Sequence, residues 1–357
     1  MHLEGMRLGG GERVASRIAA DLHGRGFVVG VVTDSPGPAM DWFADAEPSY
    51  HFLAATTARN PYATWKLSRI ATGYDLLYSH IGCNAQIVDG LACLLAGRPH
   101  VVHQHTNLEF STRPLTGPMQ RWLYARVVSR ATVISVATHV RDQTIKAGVP
   151  ETRARVVPNG VPLQPGPESP SSPSARPRVG MLTRLEPVKG LELFLEAAQR
   201  LAGVEFVIGA APGPDAAYDT RVRDQARRGG VPVLAVDSPA EFMSSLDIFC
   251  LPSRQEGMSL VLLEAMALGK PLVVSDIPGT REVVDEDSAV IVPYGDAIGL
   301  ADAVRDLITS EERRRTLGRN AAARVRTEHS LEGMTRSVAD ILERRLAGAR
   351  ARAHEAP

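Results

Sequence analysis

The stretch S253-RQEGMSLVLLEAMALGKPLVVSDIPGTR-E282 decides the reading of this chain. Leu260 to Leu268 is apolar and rich in helix formers, Ser259 suits an N-cap, Gly269 suits the position after the helix, and Pro271 blocks continuation. One short buried helix is predicted, with an apolar strand ending at Cys250-Leu251-Pro252-Ser253 before it and a β-branched strand, Pro271 to Ser275, after it. Glu256 then sits in the loop Arg254 to Met258, and Glu264 falls about a turn and a half inside the helix. A carboxylate in an apolar helix is costly unless it caps a neighbouring N–H or meets a polar ligand, and both options are open from local features. The loop and the first turn, Gly257, Met258, Ser259 and Leu260, direct backbone N–H groups towards one small volume suited to hydroxyls or an anion.

The same strand–helix alternation runs through the chain. Gly9-Gly10-Gly11-Glu12-Arg13 opens a helix to about Arg25, with Val14, Ile18 and Leu22 at helical spacing, and Val28 to Thr33 reads as a strand. Then come a helix Trp65–Thr72, a strand Leu76–Ser79, a helix Ala85–Ala96, a strand His100–Gln104 and a strand Thr132–Val136. Repeated βα units imply a parallel sheet. The composition changes at Pro162 to Pro177, PLQPGPESPSSPSARP, which reads as a linker. A second βα series follows, with strands Arg178–Leu182, Val204–Gly209, Val231–Asp237, Ile248–Pro252 and Ser288–Pro293. Short helix Glu241–Asp247 and helices Ala297–Thr309, Glu311–Arg326 and Ser330–Arg350 complete it. The expected domains are residues 1–162, linker 163–177, residues 178–329, and a closing helix with a frayed tail, 330–357.

Composition narrows the function classes. The 357 residues carry 40 basic and 40 acidic side chains, which removes the electrostatic footprint of a nucleic-acid binder. Cys83, Cys93 and Cys250 are isolated in apolar surroundings, with neither metal-ligand spacing nor a disulfide framework, so a reducing cytoplasm is the expected setting. No apolar run reaches the roughly 20 residues of a membrane span, and the N-terminus has no signal-type apolar segment, so any membrane contact is expected to be peripheral. The segment Pro118–Ser129 is basic and amphipathic and could lie on a membrane. The reading preferred from sequence is a covered helix with solvated arginines.

The pattern P252-S-x-x-E-G-x-x-L-V-L-L-E-A-M-A-L-G-K-P-x-V-x-S-D276 resembles the E-x7-E signature of family 4 retaining, nucleotide-sugar-dependent glycosyltransferases of the GT-B fold. Other stretches resemble the same family: G10-G-E-R-V14, V157-P-N-G-V161, and R184-L-E-P-V-K-G190. The resemblance implies two Rossmann-like parallel-sheet domains facing a cleft, the first binding acceptor and the second the nucleotide sugar, with the last helix crossing back to the first. It also implies that Arg184 and Lys189 grip a diphosphate, and that Glu264 accepts ribose hydroxyls. Glu256 would orient the sugar and support its developing positive charge. His105, at a strand end, would face donor sugar and acceptor. Gly10, Gly11, Glu12, His80 and Asn107 would border the acceptor. His80 alone is as readily structural, and His103, two residues before His105, is a rival for its role. No D-x-D-like pair stands out, so no metal and no cofactor are expected beyond a nucleoside diphosphate sugar, UDP- or GDP-linked. The acceptor stays open among lipid, glycan and small natural product.

Two departures stand out. The first strand of the family pattern is cut down to Met1–Met6, so it is expected to be short or missing, or to begin upstream, and apolar surface should be exposed there. The turn A210-A-P-G-P-D215 departs from the expected G-x-G-P. A GT-B-like epimerase, which needs no acceptor, and a non-catalytic nucleotide-sugar-binding module are the other readings weighed.

Overall fold

A computed structural model describes residues 1–53, 61–112, 114, 116–163 and 176–355. It divides into two compact units, Met1–Asn159 with Glu332–Pro357, and Gly160–Leu331. The linker read at 163–177 lies almost wholly outside the described residues.

In the first unit the elements are β1 (His2–Leu3), α1 (Gly10–Gly24), β2 (Gly30–Thr33), a 3-10 helix (Pro38–Ala46), β3 (Ser49–Phe52), α2 (Pro61–Ala71), β4 (Leu77–His80), α3 (Cys83–Ala96), β5 (His100–Gln104), α4 (Thr116–Val127), β6 (Thr132–Ser135), α5 (Thr138–Lys146) and β7 (Ala154–Val156). The seven strands pair in the order β3-β2-β1-β4-β5-β6-β7, and every pairing is parallel. The 3-10 helix and β3 have no counterpart in the sequence reading. β3 is an edge strand with two exposed and two half-buried residues, so it lacks the apolar run that marks an inner strand.

β1 is as short as expected, and it is interior. His2 and Leu3 pair with Val32 and Thr33 on one side and with Ser79 and His80 on the other. A buried polar cluster holds this two-residue strand. His2 Nδ1 donates to Asp89 Oδ1 at 2.7 Å, Ser79 Oγ donates to Asp89 Oδ2 at 2.5 Å, and His100 Nε2 lies 2.8 Å from Ser79 Oγ. Ser79 spends its only proton on Asp89, so His100 must be the donor in the last contact and carries its proton on Nε2. Beside Met1, where the neighbouring strands run on without β1, a groove of about 730 Å³ is lined by Val29, Tyr74, Leu77, Leu342 and Leu346 among others. Val28 at its edge is 85% exposed.

The second unit contains β8 (Arg178–Arg184), α6 (Leu191–Ala198), β9 (Glu205–Ala211), α7 (Ala216–Arg228), β10 (Val233–Leu234), α8 (Pro239–Ser244), β11 (Ile248–Leu251), α9 (Leu260–Ala267), β12 (Leu272–Asp276), α10 (Pro278–Arg281), β13 (Val290–Pro293), α11 (Ala297–Thr309) and α12 (Glu311–Glu328). A final helix, α13 (Leu331–Glu355), belongs from Glu332 onwards to the first unit, where Arg345 donates to the Arg130 carbonyl at 3.4 Å. The six strands pair in the parallel order β10-β9-β8-β11-β12-β13. A core of Met181, Phe194, Phe206, Ile208, Val273 and Leu307, with their neighbours, fills the space between sheet and helices. The strand expected at Val231–Asp237 shrinks to Val233–Leu234, a half-exposed edge pair.

In each unit the chain winds outward in both directions from one pair of strands, β1 and β4 in the first, β8 and β11 in the second. Ligands of open parallel sheets bind beyond the C-terminal ends of such a pair, where successive loops diverge and leave a crevice.

Candidate functional site

The loops that follow β8 and β11 carry the residues singled out in the sequence. Arg184 ends β8, and Pro187–Lys189 forms a single 3-10 turn. Gly190 then adopts φ +71°, in the left-handed region, and a Cβ there would overlap the Pro252 carbonyl oxygen. Only glycine lets the two loops approach this closely. Arg254 N donates to the Val188 carbonyl at 2.8 Å, which ties the loops backbone to backbone. Across the tie, Lys189 Nζ lies 2.9 and 3.1 Å from the two carboxylate oxygens of Glu256. On the far side Gly279 passes so close to the Glu256 backbone that a Cβ would collide with its carbonyl.

Arg184 lies nearby in sequence, 46% exposed, with Nη2 3.1 Å from Glu186 Oε1. The loop after β11 therefore presents one carboxylate already held by a lysine, and the loop after β8 opens on a half-exposed arginine paired with Glu186. Gly257, Met258, Ser259 and Leu260 are buried and lead straight into α9. Ser259 occupies the N-cap with extended backbone but its hydroxyl makes no capping bond, so the first-turn amides of α9 are not satisfied by that side chain. Gly269 closes the helix at φ +63°. Glu264 is half-buried on a helix whose neighbours Leu262, Leu263, Ala265 and Met266 are fully buried. Ser253, which the sequence reading passed over, is fully buried, and its Oγ makes no hydrogen bond among the described residues.

In the first unit the strand-end histidines come together. His80 Nδ1 lies 2.9 Å from His105 Nε2, and the His103 ring stacks on His105 at 4.4 Å between centroids and 9° between planes. His103 Nδ1 is hydrogen-bonded to Tyr78 Oη at 2.6 Å. His103 and His105 are thus neighbours in one cluster, and the tyrosine behind them carried no signal in the sequence. Burial pushes all three imidazoles towards the neutral form: His105 is lowered to about 4, and His80 and His103 lie well below the ordinary histidine range, with mutual repulsion adding to desolvation. One nitrogen from each of the three lies within 4.8 Å of the others, the only such group able to offer ligands to a metal ion among the described residues. His103 and His105 lie in nearly parallel planes, so their nitrogens do not converge on one point, and a metal would have to rotate the rings.

Around this cluster, Gly10 and Gly11 begin α1, with Glu12 in its first turn. A Cβ on Gly11 would come 3.6 Å from the His105 ring. The Oδ1 of half-buried Asn107 is itself buried and makes no hydrogen bond among the described residues. The structure thus gathers Gly11, His80, His103 and His105 at one sheet end, and Lys189, Glu256 and the start of α9 at the other unit's switch point.

Two family models match, glycosyltransferase family 4 over residues 8–165 and glycosyl transferases group 1 over residues 176–310. The chain is 31% identical over 265 residues to alpha-maltose-1-phosphate synthase of Mycolicibacterium smegmatis, covering 64% of this chain and 68% of that protein. The chain belongs to the family 4, group 1 glycosyltransferases. This glycosyltransferase is also 28% identical over 276 residues to the alpha-D-kanosaminyltransferase of Streptomyces kanamyceticus, covering 69% of its own length and 71% of that enzyme's. Among solved structures, HepE of Anabaena, determined with UDP and glucose, shares its fold with a TM-score of 0.83 at 22% identity, over 96% of this chain and 98% of that one. The sucrose-phosphate synthase of Thermosynechococcus elongatus does so with a TM-score of 0.77 at 18% identity, over 97% and 96%. These likenesses, with the two parallel sheets, place the glycosyltransferase in the GT-B fold class.

Proposed function

We propose that this glycosyltransferase takes a sugar from a nucleoside diphosphate donor and passes it to an acceptor hydroxyl with retention of anomeric configuration and without a metal ion. The observation that carries the reading is the junction of the β8 and β11 loops. One cation, Lys189, is held against the loop that starts α9, and a second, Arg184, opens the same β8 loop, half-exposed with its guanidinium at Glu186. A diphosphate placed there meets a forked guanidinium, an ammonium and helix-start amides, which together offset the negative charge that grows on the leaving group.

In the proposed reaction the bond between the anomeric carbon and the diphosphate oxygen breaks, with its electron pair staying on the phosphate. The acceptor oxygen bonds to the anomeric carbon from the same face, and its proton passes to the departing phosphate. Glu256, released in part from Lys189 as the lysine turns to phosphate, orients the sugar hydroxyls and offsets the positive charge on the ring. Glu264 accepts from the ribose hydroxyls, an arrangement that suits a carboxylate with four lone-pair sites. His105, neutral at physiological pH, faces the sugar as hydrogen-bond partner, and His80 holds it through the 2.9 Å contact. Asn107 Oδ1, Gly10, Gly11 and Glu12 line the acceptor side.

The test is product analysis. Proton NMR of the product should show the same anomer as the donor, with UDP- or GDP-sugars as candidate donors, and turnover should persist in EDTA. An inverted anomer would overturn retention, and loss of turnover in EDTA that a divalent ion restores would overturn metal independence.

A further inference from the structure

β4 and β5 end on a group of histidines that sugar transfer uses only in part. Successive residues of a strand point to opposite faces, so His103 and His105, two apart, share one face of the sheet. In the neighbouring strand the register Tyr78↔Val101 and Ser79↔Val102 sets Tyr78 and His80 on that same face. The His80 ring lies 5.1 Å from the rings of both His103 and His105. A pair at a spacing of two on one strand, with a third from the strand beside it, gathers three imidazoles over one corner of the sheet.

Two of their nitrogens are left over. His80 is 8% and His103 1% exposed, and Nε2 of each is buried and makes no hydrogen bond among the described residues. A buried ring nitrogen without a partner is costly, so a ligand that satisfies it gains more than it would at the surface.

The rest of the cluster has the parts of a ligand shell. Tyr78 Oη holds His103 Nδ1 at 2.6 Å, which fixes the ring and leaves Nε2 as the free atom, the pairing usual behind a metal-bound imidazole. His80 Nδ1 and His105 Nε2 are 2.9 Å apart, close to the separation of about 3.3 Å between two nitrogens on one tetrahedral zinc. One nitrogen of each ring lies within 4.8 Å of the others, so closing the triangle moves atoms by at most about 1.5 Å. The stacked planes of His103 and His105 have to turn for this, and the imidazole χ2 torsion is soft. Burial favours the neutral imidazole that binds metal. An all-nitrogen set suits zinc and not magnesium or calcium, which take oxygen ligands.

We propose that His80, His103 and His105 bind one zinc ion, and that zinc there blocks His105. The ion takes the place of the proton shared by His80 and His105, which moves to the far nitrogen of the ring that carried it. Water fills the fourth position. The block rests on the reading of His105 as the sugar-facing histidine, whereas the site does not. Zinc is then an inhibitor, in keeping with transfer that needs no metal.

Equilibrium dialysis of the full chain against zinc chloride tests the site. Wild type should hold one zinc per chain at micromolar free zinc and should not take up magnesium. Cobalt(II) in its place should give the strong visible absorption of a four-coordinate ion rather than the pale colour of the hydrated one, a readout that needs no variant. His103→Gln should lose zinc, and Tyr78→Phe should bind it about 10–100-fold more weakly. His23→Gln, at a histidine outside the cluster, should bind like wild type. Zinc should also slow nucleoside diphosphate release, and EDTA should restore it; only this arm depends on the transfer reading. Failure of wild type to hold zinc, a pale six-coordinate cobalt spectrum, or binding unchanged in His103→Gln would each overturn the site. Zinc that binds without slowing an active enzyme would overturn the block.

Discussion

Lys189 Nζ bridges both carboxylate oxygens of Glu256, at 2.9 and 3.1 Å, and so joins the loops that leave the adjacent strands β8 and β11. The pair is mostly sheltered, with side-chain exposures of 20% and 9%. Its charges are spent on each other until an anion competes for the lysine.

Lys189→Ala should therefore act twice. Glu256 loses its ion pair with Lys189, which should lower stability by about 1–3 kcal/mol, below the 3–5 of a fully buried pair because the lysine is partly solvated. Sugar transfer should fall on the order of a hundredfold or more, the usual effect of removing one preorganised charge. Urea unfolding and initial rates measure the two separately, and a rate loss no larger than the stability loss explains would argue against a role in the reaction.

Gly190→Ala tests the close approach of the same loops. A methyl group cannot share space with the Pro252 carbonyl, and φ +71° is strained for any L side chain. The variant should be destabilised by more than about 1 kcal/mol and should lose its nucleotide-induced rise in Tm. A variant that melts and binds like wild type would show that the loops need not touch.

Asp89→Ala probes how a two-residue strand stays inside a sheet. Asp89 accepts from both His2 and Ser79, and Ser79 in turn accepts from His100, all buried. Removing it leaves two buried donors, His2 Nδ1 and Ser79 Oγ, short of a partner and should cost about 3–5 kcal/mol. Asp89→Asn, which keeps one acceptor, should recover part of that. Equal stability of all three proteins by chemical denaturation would contradict the account.

Acid should weaken the fold in a defined window. His100 and His105 are both lowered to about 4 by burial, and His80 and His103 are lowered as well. Below the ordinary histidine value near 6.5 the unfolded chain takes up protons that the folded one refuses, so stability is fully present above that pH and declines as pH falls towards about 4. Urea midpoints should fall between pH 6.5 and 4, more steeply than for His105→Gln. A midpoint independent of pH in that range would mean that the histidines are not held neutral.

Much of this was legible in local sequence. Ser259, Gly269 and Pro271 mark the bounds of α9, and the helix runs where they put it, although the Ser259 hydroxyl makes no capping bond. The loop pair R184–G190 was equally readable, because a glycine at a helix entrance has few other uses. What stayed hidden depends on pairing across the sheet. Tyr78 and His103 are 25 residues apart, and only the register Tyr78↔Val101 and Ser79↔Val102 brings them within a hydrogen bond. Edge elements fare differently: β3 buries too little to show an apolar pattern, and β10 is only the middle of the strand read at Val231–Asp237.

The most direct test of the central claim is release of nucleoside diphosphate from a panel of sugar nucleotides by wild type, Arg184→Ala and Glu264→Ala. The account predicts release with one or two donors by wild type, and its loss in both variants while their urea midpoints stay near wild type. Release undiminished in the two variants, or no release and no nucleotide-induced thermal shift in wild type, would contradict it.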